Sequence, residues 1–184
     1  MKIYTRTGDK GDTRLIGNRV VAKNDPLVEA YGSIDELNSF IGMIIASPNL
    51  PSEICQELIE IQQLLFDCGT DIANADGKIP YRTKESAITW LEDRIDAYDL
   101  RVEPIESFIL PGGTMEASQL QYARSIARRV ERRLVSLPIS GKGNPNVLKF
   151  LNRLSDYLFV GGRLVNHLNN QAEPKYVRSG KVFR

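Results

Sequence analysis

Apolar residues recur at helical spacing through most of the chain. Ile34, Leu37, Ile41 and Ile44 step by threes and fours. Ile54, Leu58, Ile61, Leu65, Cys68 and Ile72 follow the same rule, then Ile88, Leu91, Ile95 and Tyr98 on a shorter stretch. Leu120, Ala123, Ala127, Val130, Leu134 and Leu137 form a fourth stripe. Leu151, Leu154, Leu158, Val165 and Leu168 form a fifth, interrupted by Gly161-Gly162. Such spacing turns one apolar face per helix toward a shared core. No stretch alternates apolar and polar residues long enough to build a sheet-based core. The pattern predicts an all-α fold, a five-helix bundle.

The punctuation agrees. Asp25-Pro26 reads as a cap followed by a first-turn proline, and Asn144-Pro145 repeats the signal. Pro48, Pro51 and Ser52 separate the first two helices, and Asp76 to Thr83 separates the second from the third. Pro111-Gly112-Gly113-Thr114 is a turn into the fourth helix with Thr114 as its N-cap; Gly141 to Pro145 joins the last two, and Pro174 ends the fifth. The glycine-turned residues before Asn24 predict an irregular arm. The whole chain, 1–184, reads as a single domain: arm 1–23, bundle 24–170, tail 171–184. Gly161-Gly162 stands out, because each helical glycine costs about 1 kcal/mol against alanine. Close approach of a neighbouring helix, in the chain or across a subunit contact, is the expected reason.

Charge and rare residues narrow the chemistry. The net charge is +1, which argues against a general nucleic-acid binder. The only histidine, His167, cannot build a zinc site or a ferritin-like di-iron site. Cys55 and Cys68 lie in apolar patterns without metal-ligand spacing and read as buried thiols of a reducing compartment. The N-terminus lacks a signal-peptide run, and no stretch reads as a membrane span. The expectation is a soluble cytoplasmic protein.

The chemistry must come from clusters. The arm segment Thr5-Arg6-Thr7-Gly8-Asp9-Lys10-Gly11-Asp12-Thr13-Arg14 has a phosphate cradle's composition: turning glycines, hydroxyls and cations. It is not a Walker P-loop, since Lys10 precedes Gly11. A solvated, turn-rich terminus has the same composition, but the first 23 residues carry six basic residues against two acidic ones. Further on, Arg124, Arg128 and Arg132 step by four and form one ridge, with Arg129 and Arg133 beside it. Arginine forks onto phosphate; a ladder of salt bridges between helices is the plain alternative. Asp35 and Glu36 sit at the edge of the first apolar stripe, Asn152 to Tyr157 interleaves polar groups with the last, and Phe108-Ile109-Leu110 leads into the glycine turn.

The order of these segments carries more than any one of them. A glycine-threonine arm, then YGSIDELNS, FILPGGT, ARSIARRVERR and NRLSDYLF closely resembles the PduO-type ATP:cob(I)alamin adenosyltransferase family, over nearly the whole chain. The resemblance implies a five-helix bundle assembled as a homotrimer, with ATP between subunits. It implies that Thr5, Arg6, Thr7, Gly8, Thr13, Arg14 and Lys23 contact ATP from the arm. Arg128, Arg129, Glu131, Arg132 and Asn152 would hold it from the helices, with Mg²⁺ on the phosphates and no metal ligand assigned among the side chains. Asp35 and Arg124 match a pair joining neighbouring subunits at the active site. Phe108 matches the aromatic against the lower corrin face, and Phe183 a residue that closes the corrinoid site. The implied reaction is attack of cob(I)alamin on C5′ of ATP with release of triphosphate, after reduction of cob(II)alamin by a reductase partner. Delivery of the product to a B12-dependent enzyme is a further implied partnership. Positioning and charge stabilisation suffice for this chemistry, so few histidines and cysteines are needed. The alternative function is an ATP-binding sensor or adaptor bundle without corrinoid turnover; a third is a nucleic-acid binder using the arginine ridge.

Overall fold

The computed structural model describes residues 2–4, 6–137 and 143–178. Among these, a two-stranded antiparallel hairpin, β1 (Asp12–Arg14) and β2 (Val20–Ala22), precedes five helices. These are α1 (Pro26–Ile45), α2 (Ser52–Ala73), α3 (Glu85–Asp99), α4 (Met115–Val135) and α5 (Pro145–Leu168). Neighbouring helices run in the order α2, α1, α4, α5, α3, and α2 also touches α5 to close the bundle. The stripes read from the sequence are the core: Leu37, Ile41, Ile61, Leu65, Leu91, Leu120, Leu151 and Leu158 are wholly buried. Each such side chain contributes roughly 1.5–3 kcal/mol by leaving water.

The caps are where local chemistry places them. The Leu27 backbone N–H donates to Asp25 Oδ1 at 2.8 Å, the Ala117 N–H to Thr114 Oγ1 at 3.1 Å, and the Asn146 N–H to Asn144 Oδ1 at 3.1 Å. Two boundaries differ from expectation. The arm holds a hairpin, with register Asp12 to Ala22 and Arg14 to Val20, because Gly17 and Asn18 take positive φ of 86° and 62°. Strands of three residues are too short to register as alternation. The last helix ends at Leu168 rather than at Pro174. Asn170 adopts φ 53° just beyond it, the left-handed stop that asparagine tolerates.

Gly162 answers the interior-glycine question within one chain: a Cβ there would lie 3.3 Å from the Ala117 carbonyl oxygen and 3.1 Å from Gln121 Nε2 on α4. A Cβ added at Gly161 would meet no neighbouring atom within 4 Å among the described residues, so close packing there does not explain this glycine. Cys68 is buried and Cys55 half-buried. Desolvation pushes the Cys68 thiol up to about 12, so it stays protonated and inert.

A buried carboxylate ties α4 to the end of α1. Glu116, 4 % exposed, accepts from Ser47 Oγ at 2.5 Å. That hydroxyl and the backbone N–H at the start of α4 hold the Glu116 carboxyl below the usual carboxylate range. A depressed folded-state value adds stability above the unfolded value and loses it as pH falls through the folded one. Glu116→Gln should cost about 1–3 kcal/mol at neutral pH, with the gap to wild type closing below about pH 4. Melting temperatures of both proteins across that range check this; a pH-independent gap would exclude the charge as its source.

Candidate functional site

The arm builds one cleft. The Lys23 N–H donates to the Gly11 carbonyl at 2.7 Å and the Gly11 N–H to that of Gly8 at 3.2 Å, folding the glycine turn over β2. The Lys23 ammonium lies against Gly8: a Cβ at Gly8 would sit 3.1 Å from Lys23 Nζ. Thr7, Gly8, Thr13, Arg14 and Lys23, all expected at the nucleotide, line a cleft of about 540 Å³, with Asp12 at its wall. Arg6 is exposed and stands 5.4 Å from the centre of the Tyr4 ring. Thr5 and Phe183 lie outside the described residues.

A second cleft, about 420 Å³, opens at the start of α1 and is lined by Pro26, Glu29, Arg129, Arg132, Arg133 and Ser136. Lys23 on one cleft and Pro26 on the other place both at the first turn of α1. Here the arginine cluster divides. Arg129 pairs with Glu36 at 2.6 Å, and Arg133 with Glu29 at 2.7 Å and with the Ser33 hydroxyl, so these two bind α4 to α1. Arg128 and Arg132 are exposed and form no ion pair among the described residues; Arg132 Nη1 donates to the Arg128 carbonyl at 3.1 Å. The salt-bridge ladder therefore accounts for Arg129 and Arg133 and leaves Arg128 and Arg132 without a carboxylate partner among the described residues. Asn152 Nδ2 donates to Glu131 Oε1 at 2.9 Å, joining α5 to the ridge helix.

Asp35 and Arg124 do not meet within one chain. Asp35 is exposed and in no ion pair among the described residues. Arg124 donates to Gln121 Oε1 at 3.0 Å and lies 5.9 Å from the centre of the Phe159 ring. Burial, then the charge of Arg128, pulls its guanidinium below the usual value. Among the described residues no carboxylate offsets the cost of burying this cation.

Phe108 stands apart from these clefts on the segment before α4, 52 % exposed. Its backbone is strand-like: the Tyr176 N–H donates to the Phe108 carbonyl at 2.8 Å and the Leu110 N–H to that of Pro174 at 2.7 Å. An isolated antiparallel bridge joins Ile109 to Lys175.

Among the described residues no three His, Cys, Asp or Glu side chains are grouped to hold a metal, and no helix is long and apolar enough to cross a membrane. A magnesium ion riding on phosphate oxygens needs only one or two protein carboxylates.

Residues 3–165 match the cobalamin adenosyltransferase family. The chain belongs to that family. The Bacillus subtilis (strain 168) corrinoid adenosyltransferase is 47% identical over 100% of this chain and 96% of its own length. The Homo sapiens corrinoid adenosyltransferase MMAB is 38% identical over 97% of this chain and 74% of its own. Among solved structures, a variant PduO-type ATP:corrinoid adenosyltransferase from Lactobacillus reuteri, complexed with cobalamin and ATP, superposes with a TM-score of 0.94 at 46% identity. That match covers 99% of this chain and 100% of the other.

Two polar residues of this adenosyltransferase fold escaped the sequence reading. Arg163 and Asn166 sit inside the last apolar stripe, 2% and 3% exposed. Their signal was a cation and an amide inside the run Val160 to Val165 and at its end, where a buried polar group demands partners.

Proposed function

We propose that this chain transfers the 5′-deoxyadenosyl group of ATP to the cobalt of a reduced corrinoid. Family membership over residues 3–165 is the observation that carries this reading. The cobalt(I) electron pair attacks C5′, the C5′–O bond breaks, and triphosphate leaves with the bonding electrons. No protein nucleophile or base is required. The chain's part is to align the reactants and stabilise charge on the leaving group. Lys23 and Arg14 of the arm cleft, Arg132 of the cleft at the start of α1 and Arg128 one turn before it on α4 provide that charge, and Thr7 and Thr13 line the arm cleft. Magnesium carried on the phosphates adds further charge neutralisation. Phe108, half in solvent before binding, covers the lower corrin face and keeps a ligand off cobalt(II), which eases its reduction. An external reductase supplies the electron, and the free thiols fit a cytoplasmic setting.

The assembly follows from the incomplete pair. Among the described residues Arg124 lacks a carboxylate and Asp35 lacks a cation, so the two meet across a subunit boundary of a homotrimer. Light scattering across a size-exclusion peak should give three times the chain mass, and a fully active monomer would exclude this arrangement. Asp35→Asn and Arg124→Ala should each slow turnover, with the double variant losing less than the product of the two, because the second change removes a partner already lost. Strict additivity in that cycle means the residues do not touch.

The direct test mixes the protein with ATP, Mg²⁺ and chemically reduced cobalamin and follows the visible spectrum. Appearance of adenosylcobalamin is expected. ATP binding with an unchanged corrinoid spectrum would point instead to the sensor or adaptor reading.

A further inference from the structure

We propose that Arg163 and Asn166 are positioning residues for Phe108, gripping from the end of α5 the two backbone segments that carry it. The inference rests on Phe108 facing the corrin, as proposed above. Its starting point is burial: residues 160–166 are all buried, and a cation and an amide among them are costly unless paired. Their partners lie on the segment leading to α4, on the tail after α5, and at the end of α3.

Asn166 holds the far end of the Phe108 segment. Its Nδ2 donates to the Gly112 carbonyl at 3.0 Å, and the Thr114 N–H donates to its Oδ1 at 2.9 Å. Gly113, between them, has φ 111°, and a Cβ there would lie 2.1 Å from Asn166 Oδ1. The amide is thus seated against bare glycine backbone, and the glycine turn is shaped to receive it.

Arg163 holds the near end and the tail together. Its Nε donates to Glu173 Oε1 at 3.0 Å and its Nη2 to Glu173 Oε2 at 3.2 Å. Nη2 also donates to the Glu103 carbonyl, while Nη1 lies 3.7 Å from Asp99 Oδ1 without a hydrogen bond. Glu173 immediately precedes the strand-like residues 174–176 that bond to Phe108 and Leu110. Support therefore runs from α5 through Arg163 and Glu173 into the tail, and from α5 through Asn166 into the turn. Phe108 lies between the two anchors, its ring half in solvent, on backbone held from both sides. The angle it presents to a corrin depends on both grips.

The test uses the full chain with Asn166→Ala, Glu173→Gln and the double variant Phe108→Ala/Asn166→Ala. Turnover is measured from Co(II) corrinoid with a mild reductant and from preformed Co(I), together with the ATP KM. Each single variant should keep the ATP KM within about two-fold and slow the Co(II) reaction about ten-fold or more, with about three-fold or less lost from Co(I). In the Phe108→Ala background, adding Asn166→Ala should change the Co(II) rate less than about two-fold, because the group it positions is gone. The electron paramagnetic resonance signal of four-coordinate Co(II) should fall in both single variants. A general packing role predicts equal losses under both cobalt conditions and multiplying losses in the double variant; either result overturns the proposal. If Asn166→Ala does not fold, Glu173→Gln, which alters a 21% exposed side chain outside the bundle, carries the same comparison. An inactive wild-type protein would instead overturn adenosyl transfer itself.

Discussion

Phe108→Ala is expected to slow adenosylation severely when the corrinoid is supplied as Co(II) with a mild reductant, and to recover much of the wild-type rate with preformed Co(I). The ring's task is apolar exclusion: it occupies the place a lower ligand would take, and a cobalt without that ligand is easier to reduce. Without the ring, water or the corrinoid's own base returns, the four-coordinate population falls and the reduction step becomes harder. The structure sharpens the test. Phe108 is 52 % exposed and offers the tail its carbonyl, which alanine also has. Truncation therefore keeps the backbone pairing with the tail. Helix content and the ATP KM should be unchanged. Retention of the full four-coordinate Co(II) signal with ATP bound would remove Phe108 from this role. Equal slowing from both cobalt states, with a lowered melting temperature, would assign it to packing.

Arg128→Ala should chiefly damage ATP use. A charged contact to phosphate is worth about 1.5–3 kcal/mol, or roughly ten- to a hundred-fold in kcat/KM for ATP. Arg128 is exposed, in no ion pair among the described residues, and offers Arg132 only its backbone carbonyl. Alanine is the best helix former, so α4 should stay intact. Arg129→Ala and Arg133→Ala provide the contrast. They break partly exposed pairs with Glu36 and Glu29 and should cost stability by about 1 kcal/mol or less each. Steady-state kinetics over a range of ATP concentrations separates the cases. An Arg128 variant with wild-type ATP dependence would return the whole ridge to surface charge.

That contrast marks a limit of the sequence. Five arginines within ten residues of α4 look alike as a string, and the four-residue step distinguishes a ridge only by direction. Which cations remain for a ligand depends on the carboxylates that α1 brings opposite, and these lie about a hundred residues away in the chain: Arg129 with Glu36, Arg133 with Glu29. Similarly, Asp71 sits in the apolar face of α2, where nothing marks it. Folding makes it the acceptor for the Arg82 and Thr83 backbone N–H groups and for Asn144 Nδ2, fixing the loop before α3 and the cap of α5.

What the sequence determined by itself is what local forces decide. Helix periodicity acts over three or four residues and caps over two or three, so Asp25, Thr114 and Asn144 start their helices as read. The five ordered motifs placed the chain in its family, because the residue types a reaction needs persist in the string even when their contacts do not. Tertiary structure decided the rest: the arm hairpin, the division of the arginines, and the pairing of residues 108–110 with 174–176 under the grip of Arg163 and Asn166. Apart from the hairpin, these are contacts between segments distant in the chain, formed by backbone groups that every residue shares or by polar side chains that meet whatever partner the fold delivers. Side-chain identity at one position says little about such a contact until packing has chosen the neighbour.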